Sequence, residues 1–225
     1  VKHNERPVPL HVNVYDAELG ITTLKNLKDV MDIPAYDKVV HKHYKFRQKQ
    51  KAKIPSHFEL IKEIKNNLPC MFFSFSRQGC QRKAMELFEK KMFQPNTEIS
   101  AFVRGKLSGT SPEINKLDSA RILRQILPFG IAFHHAGMLP ILKEIVEELF
   151  DKGMIKVLYT TETFAVGINM PAKSVCFESL RKFDGISFRL MNSKEYFQIA
   201  GRAGRRGIDK EGFVYIMIER KFFEY

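Results

Sequence analysis

Ten residues near the C-terminal end of the chain, QIAGRAGRRG (198–207), combine three arginines with three glycines. Like charges so close repel one another and pack poorly, so they call for an anionic partner. An arginine guanidinium is a rigid fork of donors that matches phosphate oxygens, and an adjacent glycine lets the backbone come close to such a group. The chemistry this suits is phosphate recognition. An arginine supplied by one domain to a nucleotide held by another stabilises the charge spread over a transferring phosphoryl group, an effect of roughly 10³–10⁵ in rate. Gly201, Gly204 and Gly207 are expected to let a helix end turn so that Arg202 and Arg205 point into an interdomain cleft. A simpler reading is a glycine–arginine turn that binds RNA or faces solvent.

The elements that must carry this loop follow from hydrophobic patterning. PVPLHVNVY (7–15) alternates as an entering strand does, and a strongly basic connector, DKVVHKHYKFRQKQKAKI (37–54), follows. A capping box at 56–59 opens a helix with Phe58, Ile61, Ile64 and Leu68 on one face. Strands are expected at 70–75 (CMFFSF), 131–135 (IAFHH), 155–160 (IKVLYT), 174–179 (SVCFES) and 213–218 (FVYIMI). Helices are expected at about 78–92, 118–127, from Pro140 to Gly153 and at about 193–203. The polar stretch 94–118 is expected to be an insertion or long loop. Strands alternating with amphipathic helices predict an α/β fold, a mainly parallel sheet with helices on both faces. Ligands of such sheets bind beyond the carboxyl ends of the strands. Three loops occupy that position: Ser76-Arg77, His135-Ala136-Gly137 and Thr161-Glu162-Thr163.

Composition narrows the partners. The 225 residues hold 37 Lys and Arg against 25 Asp and Glu, a formal charge of +12, which favours a polyanion such as nucleic acid. No apolar run approaches the ~20 residues of a membrane helix, and no membrane partner is expected. The three cysteines, Cys70, Cys80 and Cys176, form no CxxC pair and cannot close a disulfide framework, so a reduced, intracellular setting is expected, cytoplasm and nucleus not being distinguished. The histidine pairs lack supporting ligands at metal spacing, and no metal site is expected. His134 reads as a core or strand histidine. The chain opens on Val rather than Met, which suggests a fragment of something longer.

A nucleotide enzyme of this class usually carries GxxxxGK[ST], and none of the 13 glycines begins it; no Asp-Glu pair supplies a magnesium carboxylate either. The chain alone is therefore expected not to hydrolyse ATP, and the arginine loop reads as half of a site.

At this point a family resemblance becomes specific. QIAGRAGRRG resembles motif VI of superfamily-two helicases in its superkiller-like DExH-box branch. TTETFAVGINMPA (160–172) is similar to motif V, FGIAFHHAGMLP (129–140) to the HHxG motif, and CMFFSFSRQGCQRKA (70–84) to motif IV, all in the family's order. The match is closest to the exosome-associated RNA helicases. The resemblance implies the second RecA-like domain of an ATP-driven motor, with residues 1–54 as its entering strand and connector and 55–225 as the motif-bearing part. ATP and Mg²⁺ would be held mainly by an upstream RecA-like domain. Arg202 and Arg205 match the arginine fingers, and Gln198, Gly167 and Asn169 match positions facing the nucleotide.

For nucleic acid, the resemblance points to Ser76, Arg77, His135, Gly137 and Thr161 as backbone contacts. Short hydroxyls, backbone N–H groups and one arginine suit phosphate contacts blind to sequence. Thr163 and Asn169-Met170-Pro171 also read as turn residues, and Phe164 as packing. Arg206 reads as serving the fold or the partner domain, and no role attaches to 94–118. RKFDGISFRL (181–190) reads as a short hairpin around Asp184-Gly185. The partners implied are single-stranded nucleic acid, RNA favoured over DNA, and an RNA-degrading complex. A DNA-repair helicase of a neighbouring branch and a non-catalytic RNA-binding module remain alternatives.

Overall fold

The computed structural model describes residues 8–31, 54–162, 170–183 and 185–219. Its first strands, β1 (Leu10–Asp16) and β2 (Gly20–Thr22), precede helix α1 (Leu24–Met31). After the basic connector, which lies almost wholly outside the described residues, come α2 (His57–Glu63), β3 (Cys70–Phe73) and α3 (Arg77–Glu89). Helices α4 (Thr97–Ser108), α5 (Pro112–Lys116) and α6 (Asp118–Ile126) lead to β4 (Ile131–His134) and α7 (Pro140–Asp151). The remainder is β5 (Val157–Thr160), β6 (Ser174–Phe177), the strands β7 (Arg181–Phe183) and β8 (Phe188–Leu190), α8 (Ser193–Ala200) and β9 (Gly212–Met217).

Seven strands form one sheet in the order β2-β1-β9-β6-β3-β5-β4. Every pairing in it is parallel except that of β1 with β2. All residues of β3, β4, β5 and β6 are buried. Successive side chains of a strand point to opposite faces, so burial of every one means that both faces are covered. This is the RecA-like α/β arrangement expected. Helix α7 buries Leu142, Ile145, Val146, Leu149 and Phe150, the stripe its spacing predicts.

Three expectations need correction. Residues 94–118 are not a loop: α4 is capped by the Asn96 side chain and buries Ile99, Val103 and Leu107, a narrow stripe that the surrounding polar residues hide. The capping box at Ser56 does not form, and α2 turns His57, Leu60 and Ile61 inward. Its Nδ1 lies 2.8 Å from the Tyr159 hydroxyl and its Nε2 2.8 Å from Glu86 Oε2, so His57 is a buried bridge from helix to sheet. Strands β3 to β6 and α8 are also shorter than expected, β3 ending at Phe73 and α8 at Ala200, while β9 keeps its expected length one residue earlier. The short hairpin is present, with Arg181 opposite Leu190 and Phe183 opposite Phe188; Asp184 lies outside the described residues.

Candidate functional site

Adjacency of β6, β3, β5 and β4 brings the ends of these strands to one edge of the sheet. There Phe75, Arg77, Ala136, Thr161, Glu162, Lys182 and Phe183 line a cavity of about 180 Å³. A neighbouring cavity of about 360 Å³ is lined by Ser74, Ser76, Gln78, Gly79, Arg82, Lys83 and Glu178. Ser76 is the N-cap of α3 and accepts a hydrogen bond from the Gly79 N–H at 3.1 Å, which fixes the start of the helix and leaves the hydroxyl hydrogen for another acceptor. Ser76, Arg77 and Gln78 are exposed at that positive helix end, a natural place for an anion. Gly137 packs against Arg77: a Cβ there would stand 3.3 Å from Nη1.

His135 is buried behind this surface. Its Nδ1 accepts from the Gly137 N–H at 3.2 Å, and the Gln81 amide lies 2.9 Å from Nε2. With Nδ1 accepting, the neutral ring carries its proton on Nε2, and the Gln81 amide, placed with its nitrogen toward Nε2, accepts that proton through its oxygen once the amide is flipped. Burial, then the Arg77 charge, pushes the His135 pKa down, so the ring is neutral. It shapes the loop, and the exposed part of the loop is Ala136-Gly137. His134 is buried, as expected of a strand histidine, with Nε2 2.7 Å from Glu147 Oε1. Its carbonyl accepts from the Thr160 hydroxyl at 2.9 Å and from the Thr161 N–H at 3.4 Å, which ties the β4 and β5 ends together.

The arginine loop stands at the other edge. The Ala172 N–H donates to the Arg202 carbonyl at 3.0 Å, the Gly204 N–H donates to the Ala172 carbonyl at 2.7 Å, and Ala172 stands two residues before Ser174, the start of β6. Gly204, at φ +83°, faces Gly212 at the start of β9, and a Cβ on it would meet Val8 Cγ1 at 2.7 Å. Gly207 is also left-handed, at φ +78°. Gly201 is not: its φ of −59° is helical, and a Cβ would instead stand 2.7 Å from the Phe197 carbonyl oxygen. Arg202 is half-buried, Gln198 exposed. The Arg205 guanidinium is held by Asp209, Nε to Oδ2 at 2.7 Å and Nη2 to Oδ1 at 2.8 Å.

Helix α8 joins the two edges. Its first turn carries a capping box between Asn192 and Glu195. The Glu195 carboxylate is held far below its ordinary pKa by Arg189 and then by Lys182. Lys182 also reaches Glu162, at 2.9 and 2.7 Å, and lies 2.8 Å from Glu195. Contacts thus lead from the Thr161-Glu162 loop through Lys182 to the start of α8, and the arginines follow just beyond the end of that helix.

Residues 94–207 match the family described as Helicase conserved C-terminal domain. The chain belongs to this helicase family. Its relatives place it in the superkiller-like and Mtr4-like DExH branch. It is 43% identical over 169 residues to the DExH-box ATP-dependent RNA helicase DExH9 of Arabidopsis thaliana, covering 73% of this chain and 17% of that protein. Against the human exosome RNA helicase MTR4 it is 40% identical over 206 residues, 89% of this chain and 19% of the relative. Against mouse Superkiller complex protein 2 it is 44% identical over 152 residues, 67% and 12% respectively. The chain therefore spans less than a fifth of the length of these relatives.

The family match begins at residue 94, so α4, α5 and α6 are part of the helicase domain, including the stretch to which the sequence attached no role. Ser76, Arg77, His135, Gly137 and Thr161 come together at one edge of the sheet, while Gln198, Arg202 and Arg205 lie on α8 and the loop after it. Gly167 and Asn169 lie outside the described residues, as do Thr163 and Phe164. Reading by motif missed Asp209, Lys182 and Glu195; only the Arg205/Asp209 spacing of four residues signalled any of them. Among the described residues no helix is long and apolar enough to cross a membrane, and no three His, Cys, Asp or Glu come together to hold a metal ion.

Proposed function

We propose that this domain is the second half of an ATP-dependent RNA helicase core and that its arginine loop completes an ATP site held mainly by a partner RecA-like domain. The observation that carries this reading is the pair of basic surfaces at opposite edges of one sheet, joined by α8. Arg205 keeps three N–H groups clear of Asp209, two on Nη1 and one on Nη2, which fit phosphate oxygens. Arg202 and Arg205 would stabilise the charge that develops on the transferring phosphoryl group, and Gln198, Gly167 and Asn169 are assigned to the same nucleotide by motif. The P-loop and magnesium ligands come from the partner domain, so this chain alone does not turn ATP over. Mg²⁺ bound there neutralises phosphate charge.

At the carboxyl edge, Ser76, Arg77, the Ala136-Gly137 backbone and Thr161 grip the phosphates of a single strand, with His135 holding the loop shape. Residues 8–31 fold onto the motif-bearing part as one unit with it. RNA is favoured over DNA, and an RNA-degrading complex is the expected assembly, because two of the relatives are named as RNA helicases, one of them of the exosome, and a third as a protein of the superkiller complex. The protein works inside the cell.

The test separates the edges in the intact parent protein. Arg205→Ala is expected to reduce RNA-stimulated ATP turnover roughly 10³-fold with RNA affinity nearly unchanged. Loss of both together would count against the finger role.

A further inference from the structure

We infer that Asp209 is a positioning residue for Arg205, setting the direction in which the guanidinium presents its free edge to the transferring phosphoryl group. The inference rests on the arginine-finger reading above.

Three hydrogen bonds define the brace. Asp209 Oδ2 accepts from Arg205 Nε at 2.7 Å and from the Arg205 backbone N–H at 2.9 Å, and Oδ1 accepts from Nη2 at 2.8 Å. One carboxylate therefore fixes both the backbone and the plane of the guanidinium. The edge it uses is the Nε–Nη2 edge. The opposite edge, with one N–H from each terminal nitrogen, is the one that meets two oxygens of a phosphate in parallel.

The brace is itself rigid. The Asp209 side chain is only 6% exposed against 22% for Arg205. The Asp209 and Ile208 N–H groups donate back to the Arg205 carbonyl at 2.9 and 3.1 Å, closing the turn. On the other side, Gly204 at φ +83° lies so close to Val8 and Gly212 that it has no room for a side chain. Burial pushes the Asp209 carboxyl pKa up, but its bonds to Arg205 outweigh this and hold it below the ordinary value, so the brace stays charged at neutral pH. Arg206, one residue on, is exposed and has no comparable brace among the described residues.

A carboxylate beside the guanidinium weakens its pull on phosphate. A group meant only to attract an anion would do better without Asp209, so what the carboxylate contributes is aim. Two effects of removing it then oppose each other. Arg205 attracts phosphate at least as strongly as before, but it is no longer held in the orientation the transition state needs. The alternative is that Asp209 merely staples the turn. Asp209→Asn distinguishes the two, since its one oxygen can still accept from the backbone N–H while its amide nitrogen turns a donor toward the guanidinium.

In the intact parent protein, RNA-stimulated ATP turnover is measured for Asp209→Asn, Arg205→Ala and the double variant, with KM for ATP and the melting temperature of each. The expected result is a kcat reduced roughly ten- to hundredfold by Asp209→Asn, KM not raised, melting nearly unchanged, and a double variant no slower than Arg205→Ala alone. Unchanged turnover in Asp209→Asn overturns the inference. So does a loss that multiplies with that of Arg205→Ala, or one that comes with a raised KM and a lowered melting temperature. If Arg205→Ala itself turns over normally, the finger reading fails first, and the inference falls with it.

Discussion

Gly204 is the residue on which the arginine loop turns, and it combines two constraints. Its φ of +83° lies where L side chains rarely go, and a Cβ would strike Val8 Cγ1 at 2.7 Å. The left-handed conformation costs roughly 1–2 kcal/mol for a residue with a Cβ, and overpacking adds about 1–3 kcal/mol. Gly204→Ala is therefore expected to lower stability by about 2–5 kcal/mol, read from denaturant unfolding of this chain; an unchanged midpoint would contradict the packing described. The sequence marked Gly204 as a joint beside an arginine, but it did not show the approach to Val8 and Gly212, because those residues meet it only through the sheet. Asp209 was hidden for a different reason: an acidic residue after a basic loop is common, so its four-residue spacing from Arg205 gains meaning only from the hydrogen bonds between them. At the opposite edge, Arg77→Ala is expected to weaken RNA binding evenly across sequences and to reduce the slope of log affinity against log salt by roughly 0.7–1. An unchanged slope would remove Arg77 from the phosphate-contacting set.

At the scale of elements, the buried strands were the most legible, because runs such as CMFF and VLYT have no charged residue of the kind a solvated face shows. Helix α4 was the least legible. Its three buried residues sit among polar ones, and the stretch holds both Gly105 and Gly109, which read as loop. The order helix, loop, strand around Arg202 did carry a signal that was not used: in a parallel sheet such a loop must lie at the amino end of the next strand. Lys182 joins three elements and shows what holds α8 in place. Its side chain is 10% exposed, and removing it leaves Glu162 and Glu195 close together without that cation. Lys182→Met is expected to cost about 1–3 kcal/mol, the range for hydrogen bonds to charged groups, and to loosen the β7–β8 hairpin, measurable as faster amide exchange at 181–190. Unchanged exchange there would show that the hairpin stands without it.

Across the molecule, three histidines among the described residues are buried in the neutral form. Burial pushes the pKa of His57, His134 and His135 below the ordinary 6.5, against the pull of Glu86 on the first and Glu147 on the second. The unfolded chain then binds more protons than the folded one below pH 6.5, so their contribution to stability is complete above that value and is lost as the pH falls. The melting temperature of this chain is expected to drop as the pH is lowered from 6.5; a flat profile would mean that the rings take up protons without cost.

The net charge of +12 belongs to this scale too, since it draws the domain to any polyanion, and local geometry must supply the choice among them. The central claim is that these two edges serve one motor that acts on RNA. ATP hydrolysis by the intact parent protein, with single-stranded RNA and single-stranded DNA compared at one salt concentration, tests it most directly. Strong stimulation by RNA and little by DNA is the predicted result. Equal or greater stimulation by DNA, or no hydrolysis with either, would contradict it.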